Sequence, residues 1–456
     1  MNTPFPFDGM LVFAFLSALL LAGVVLRAKI SLLQRFLVPS CLIGGVLGFM
    51  VVSLDLFSLN LSMVESLAYH FFNISFISVG LTREEEAEGR PSRQLVRGAA
   101  WMALIQGLTF PLQAILGGLA VVLFGLAGVK LFPTFGFLVP LGFNEGPGQA
   151  LSIGKVWETV GFSNAATIGL AFAAAGYFCA FFVGVPLVNR GIRSGRAAFG
   201  PSQLPPDLLK GILPPTGQET AGALTIHSGN AETLAFQTAL VGLVYGGTYL
   251  IVSLLVRSLT AFGIMGPNDA KILWGFFFFF GLGAALVTRK ILGRIGAAHL
   301  VDPGIQRRIT GWSVDYLIVA TVVAIQLTVL WKYALPIGLI CLINAAATTW
   351  LVVWFGRRLD AFQLERTAAI YGVVTGTVSC GLLLLRIADP EFRTPAAFEI
   401  AVMNVFALPV VGGCTVLVNG PLWWGWSVMG TMAVFAGVMA VVIVLMYWMK
   451  FIGKKV

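Results

Sequence analysis

The chain has 456 residues, of which 58% are hydrophobic and only 11% charged, with a mean hydropathy of +0.90. Soluble domains carry about 25% charged residues, so the composition excludes a soluble globular domain and points to an all-α polytopic membrane protein. The net charge of +9 does not argue for a nucleic-acid partner, because the basic residues cluster between apolar segments and form no basic stripe interleaved with aromatics. The five cysteines (Cys41, Cys179, Cys341, Cys380, Cys414) are scattered through apolar segments without CxxC spacing and read as small buried hydrophobes.

Apolar segments fall at roughly 9–26, 36–54, 67–82 and 98–128. No Lys or Arg precedes the first of them, so Leu11–Leu26 is expected to be a retained helix with Arg27, Lys29 and Arg35 behind it, not a signal peptide. The next stretch, Phe137–Lys155 (FLVPLGFNEGPGQALSIGK), carries Pro140, Pro147, Asn144, Glu145, Gln149 and several glycines. Backbone broken by Gly and Pro survives at membrane depth only where it lines a wet or protein-walled cavity, so this element is expected to be a functional, re-entrant hairpin.

A span follows at roughly 162–188, then a polar, proline-rich stretch at 191–230 that reads as a linker. Further spans are expected at 231–256, 271–288, 311–331 and 333–355. A second Gly/Ser/Thr-interrupted stretch occupies 368–388, and spans at 394–419 and 421–449 finish the chain. The mixed-charge run Arg83–Arg90 is expected to be a solvated turn.

The positive-inside rule tests this layout. With the N-terminus outside and both broken stretches entering and leaving on one side, 24 of the 29 Lys and Arg fall on the cytoplasmic side, and only Lys130, Lys155, Arg257, Lys271 and Lys332 fall outside. Treating either broken stretch as a full span destroys the bias. Residues 1–190 (hairpin 130–158) and 231–420 (hairpin 366–390) then have the same architecture in opposite orientations, joined by the linker 191–230. Residues 421–456 add one helix and a basic cytoplasmic tail. Such an inverted repeat, with about eleven transmembrane helices and two re-entrant hairpins, is the ground plan of many secondary transporters, which bind substrate where the broken elements meet.

At these residues the chain resembles the bacterial sodium/glutamate symporter family. The resemblance covers about 1–420 and rests on the order of spans, on Pro39 with Gly44-Gly45, and on Ile77–Leu81 (ISVGL). Its most specific part is the glycine-rich hairpin followed by Gly161-Phe162-Ser163-Asn164-Ala165. It implies an elevator-type homodimer in the bacterial inner membrane that takes up glutamate, or a similar small anionic amino acid, with sodium as coupling ion and no other cofactor. Asn144–Gly148 differs from the Gly-His-Gly-Thr-Gly type that better-known members carry in the first hairpin, and Thr375–Gly381 lacks the His of their Gly-rich second hairpin. A proton-coupled or exchange carrier of another small carboxylate is the runner-up, and a passive channel a third reading.

Candidate substrate ligands in the first hairpin are Asn144, Glu145, Gly146, Gly148 and Gln149; Asn144 and Glu145 are also candidate sodium ligands, since a hard cation takes oxygen. The competing reading places Glu145 at a hydrated tip or pairs it with Lys155. In the second hairpin Thr375, Thr377 and Ser379 offer hydroxyls either to a ligand or to their own backbone. Arg386 either clamps a substrate carboxylate or is a topogenic charge paired with Asp389 or Glu391. Asp315, about one turn into the expected 311–331 span, is either an ion or proton site or an interfacial residue near Arg307 and Arg308. Asn73, Ser75 and Ser78 are candidate ion-path residues, Ser75 and Ser78 as sodium ligands, against the reading that small polar residues simply pack helices. No HExxH, GxSxG or Walker A pattern is present, so no enzyme activity is expected.

Overall fold

A computed structural model of the chain describes residues 5, 7–57, 59–82, 93–199, 206–215, 220–266, 270–390 and 392–452. The charge run Arg83–Arg90 and Glu391 lie outside the described residues. Among the described residues all regular structure is helical.

The first half contains α1 (Asp8–Lys29), a short α2 (Ser31–Arg35), α3 (Ser40–Ser53), α4 (Leu61–Leu81) and α5 (Arg93–Leu126). The broken element follows as a 3-10 turn (Phe135–Phe137), α6 (Leu138–Phe143) and α7 (Pro147–Thr159). Then α8 (Ala165–Phe178) runs through a π turn into α9 (Gly184–Arg193), and α10 (Pro206–Lys210) lies in the linker. The second half has α11 (Thr233–Ala261), α12 (Phe277–Arg294), α13 (Pro303–Val323), α14 (Leu327–Lys332) and α15 (Ala334–Gly356). Its broken element is α16 (Gln363–Val374) and α17 (Val378–Ala388), followed by α18 (Ala396–Leu417), α19 (Gly420–Trp423) and α20 (Val428–Trp448).

Eight helices among the described residues are long and apolar enough to cross a membrane. Three others occupy expected span positions but fall short. The α3 helix has 14 residues, and α4 and α13, at 21 residues each, fail on polarity rather than length. The physical reason is shelter: α4 and α13 pack on each other, so their polar faces meet protein rather than lipid. Large apolar side chains on the outer helices, such as Leu243, Leu254, Leu342, Trp350 and Val444, are exposed, as a lipid-facing surface requires.

The packing around this pair is two-fold in pattern. Helices α1 and α3 contact α13, while α11 and α12 contact α4. A second group gathers around α5, which packs on α15, α18 and α20 and on the first broken element; α16 and α17 pack on α9 and α18.

The start of α13 departs from expectation by eight residues, Pro303 instead of 311. Hydropathy begins near Gly311, but Asp302 accepts a hydrogen bond from the Ile305 N–H (2.7 Å) and Pro303 stands at the first helical position, so the cap decides the boundary. Residues 324–326 then end the helix and Leu327–Lys332 forms a separate turn. Asp315 consequently lies about 18 Å along α13 rather than one turn in.

Arg366, expected among the loop charges, is buried in α16. Its guanidinium makes a two-pronged ion pair with Glu399 of α18 (Nε–Oε2 2.8 Å, Nη2–Oε1 2.5 Å) and donates to the Ala361 carbonyl at 3.0 Å. Gly98 of α5 faces the same carboxylate so closely that a Cβ has no room. One buried pair thus ties the base of the second hairpin to α18 and α5. Removing one partner leaves an uncompensated buried charge, so Glu399→Leu is expected to lower stability by about 3–5 kcal/mol. Unfolding in mild detergent, followed by circular dichroism, checks this; a loss under 1 kcal/mol contradicts it.

Candidate functional site

The two broken elements meet tip to tip. Gly146, the residue before α7, has φ 87°, which a non-glycine residue rarely adopts. A Cβ placed on it would lie 3.0 Å from the Thr377 methyl and 3.2 Å from the Gly376 carbonyl. Thr377 is the extended residue (φ −150°, ψ 172°) that precedes α17. The residues that open α7 and α17 are therefore in contact. Gly176 of α8 sits beneath both: a Cβ there would lie 2.6 Å from the Thr375 carbonyl and 3.3 Å from the Phe143 Cα.

This geometry brings two helix N-termini face to face. Each carries about half a positive charge in its unpaired N–H groups. Pro147 at the first position of α7 is suited to that place because its missing N–H would be unpaired anyway. The surroundings are buried on one side and open on the other: Asn144 and Thr375 are buried, Glu145 and Thr377 partly so, and Ser379 is exposed.

The first tip is held by α5. Gln106 Nε2 donates to Glu145 Oε1 at 3.2 Å, and Gln149 Nε2 donates to Glu145 Oε2 at 2.9 Å. In the amide orientation that gives both ends of Asn144 a complementary partner, its Oδ1 accepts from Thr109 Oγ1 (2.8 Å) and the Phe110 N–H (3.2 Å), and its Nδ2 donates to Glu145 Oε1 (3.2 Å). Three neutral amides thus surround one carboxylate. One helical turn on, Gln113 Nε2 donates to the Val374 carbonyl of the second hairpin (3.3 Å) and to Thr348 Oγ1 of α15 (3.1 Å). Gln106, Thr109 and Gln113 form one polar face of α5 that addresses both hairpins.

Sequence reasoning named none of those three residues. Their i, i+3, i+7 spacing in an otherwise apolar helix was the available signal. It also missed Glu65. Lys155 pairs with Glu65 of α4 (2.6 Å) and Glu158 of α7 (3.0 Å), not with Glu145. The α7 arm is further fixed by Trp157, whose Nε1 donates to Asn419 Oδ1 at 2.8 Å, and Gly148 receives the Phe72 ring of α4.

Other candidates fall in different places. Thr375 Oγ1 donates to its own helix at the Tyr371 carbonyl, 2.6 Å away, and Thr377 Oγ1 faces Cys380 Sγ at 3.6 Å. Arg386 is exposed near the far end of α17, its guanidinium 5.0 Å from the Phe392 ring centroid. Asp389 is occupied by the Arg393 and Thr394 N–H groups and the Thr394 hydroxyl, so it does not pair with Arg386. Ser75 donates to the Phe72 carbonyl (2.7 Å) and Asn73 to the Tyr69 carbonyl (2.8 Å), both within α4. Ser78 bonds Gln306 of α13, both its carbonyl and its side chain (2.8 and 2.6 Å), away from the hairpin tips; Gln306 in turn donates to Gln237 of α11. Asp315 is exposed on α13 opposite the buried Cys41 of α3, in the neighbourhood of Tyr177 and Cys380. The structure therefore joins Asn144, Glu145, Gly146, Gln149, Thr375 and Thr377 in one place, with Asp315 of α13 nearby on the far side of Tyr177.

No family model matches the chain, and neither does any curated protein or solved structure.

The Lys155–Glu65 contact joins the first hairpin to α4, across the boundary between the two helix groups. Lys155→Met leaves the buried Glu65 without its cation; because Lys155 is half exposed, the expected loss is about 1–2 kcal/mol. A double-mutant cycle with Glu65→Gln, read by thermal unfolding, should show a coupling of about 1 kcal/mol. Additive single-mutant effects would show that the contact contributes nothing.

Proposed function

We infer that the chain is a secondary active transporter for a small anionic solute, with glutamate or a similar amino acid as the first substrate to test and sodium as the coupling ion. The observation that carries this reading is the contact between Gly146 and Thr377. It sets two helix N-termini against each other inside the protein, an arrangement that an anion between or beside them stabilises. Broken half-helices whose N-termini point at an anionic substrate are a recurring device of transporters built from inverted repeats.

The two-fold packing pattern supports residues 1–190 and 231–420 as opposed repeats, with the group around α5 and the hairpins moving against the group around α4 and α13. Two places where the groups touch, Phe72 on Gly148 and Glu65 on Lys155, lie on that boundary. Any movement of one group against the other has to release these contacts, and the elevator type is the one the resemblance suggests. The chain's resemblance to sodium/glutamate symporters enters as a choice of first substrate and ion.

The residues have separable roles in this reading. Backbone N–H groups at the starts of α7 and α17 and the Thr377 and Ser379 hydroxyls would hold the solute's carboxylate, while Asp315, exposed nearby on α13, suits an ammonium group. Binding of solute and ion must be reciprocally coupled for one gradient to drive the other.

Reconstituted into proteoliposomes, the protein is expected to take up labelled glutamate with saturation kinetics, faster under an inward sodium gradient. Uptake indifferent to the gradient overturns sodium coupling. Uptake of other carboxylates that glutamate does not inhibit overturns the substrate, and non-saturating macroscopic currents favour a channel.

A further inference from the structure

Among the described residues, two buried atoms beside Glu145 have no partner. Gln106 and Gln149 are 6% and 4% exposed, and each turns its Nε2 to the Glu145 carboxylate, leaving its Oε1 without a hydrogen bond. A buried amide oxygen left unpaired costs about 1–3 kcal/mol. Here two of them flank a carboxylate whose hydrogen-bond partners, Gln106, Gln149 and Asn144, are all neutral. The place has an excess of oxygen and a single formal negative charge.

We propose that Glu145, Gln106 and Gln149 form the binding site of one sodium ion at the bend of the first hairpin. The proposal rests on the transport reading and deepens it by assigning the ion's ligands. The carboxylate supplies the charge and the two amide oxygens, brought in by rotation of their terminal groups, supply neutral ligands. A hard cation prefers such oxygen donors. Charge selects its valence: one carboxylate neutralises a monovalent ion, whereas a divalent ion leaves a net positive charge at membrane depth. The rotation gives up the two Nε2–carboxylate hydrogen bonds, which coordination of the ion by both amide oxygens replaces, whereas a single proton can bridge to only one of them. Gln106 belongs to α5 and Gln149 to α7, so an ion held by both clamps the hairpin bend to the helix that also holds the second hairpin through Gln113. Ser75 and Ser78 do not belong to the site, since the first is bonded within its own helix and the second to Gln306.

The test is the melting temperature of the purified full-length protein in detergent, titrated with sodium chloride, potassium chloride or choline chloride at constant ionic strength and pH. Sodium should give a saturable rise that potassium and choline do not reproduce. Glu145→Gln, which keeps shape and hydrogen-bonding capacity, should abolish that rise. Gln106→Leu and Gln149→Leu should each weaken the apparent sodium affinity by at least about tenfold, the scale on which supporting groups at metal sites act. No sodium-specific rise in the native protein, or an undiminished rise in Glu145→Gln, overturns the proposal. So does a sodium-independent, pH-dependent stability that Glu145→Gln removes, which would make the site a proton's. Uptake that persists without any sodium effect on melting overturns the ion site and leaves the transporter standing. A sodium response intact in Glu145-containing protein that transports no carboxylate overturns the transport reading and leaves the ion site.

Discussion

Two helix ends of like partial charge are held in contact at Gly146 and Thr377, and much of the structure serves to keep them there. Each tip is anchored from behind. Asn144 and Glu145 are gripped by α5, and the Val374 carbonyl is gripped by Gln113 of the same helix. Gly176 closes the floor, since any larger residue would meet the Thr375 carbonyl. The polar face of α5 is therefore the common support of both broken elements, and its long apolar remainder packs on α18 and α20.

The general plan was legible in the sequence because hydrophobic runs and their interruptions are a direct physical signal. Pro147, Gly146 and Gly376 announce broken backbone in a setting where broken backbone is costly. The start of α13 was misplaced by eight residues because a hydropathy run does not register a cap. Asp302 and Pro303 start the helix among charged residues, where solvent and protein rather than lipid surround the first turns. The earlier start lengthens the helix ahead of Asp315 without changing its place in the apolar run, and Asp315 stays exposed beside Cys41 and Tyr177.

The site was legible only where its chemistry is local. Asn144, Glu145 and Gln149 share one bend and could be read together. Their partners come from α5, some forty residues earlier in the chain, and single glutamines in apolar helices do not announce which way they face. The same holds for charge pairs. Arg366 and Glu399, or Lys155 and Glu65, are unremarkable residues until the fold sets them 2.5 and 2.6 Å apart. In a membrane such pairs matter more than in water, because neither partner has an alternative solvation shell nearby.

The Arg366–Glu399 pair also fixes how the second hairpin can move. It lies at the base of α16, in the first turn, while the opposite end at Thr377 and Ser379 is only partly covered. An element clamped at its base pivots there, and its tip end is held by the Gln113–Val374 hydrogen bond and by the contact of Tyr371 with Thr349. Over the roughly 18 Å length of α16, a tilt of about ten degrees at the base carries the tip through about 3 Å. That displacement would part Gly146 from Thr377, and what opposes it is the Gln113–Val374 hydrogen bond and the packing of α16 on α15.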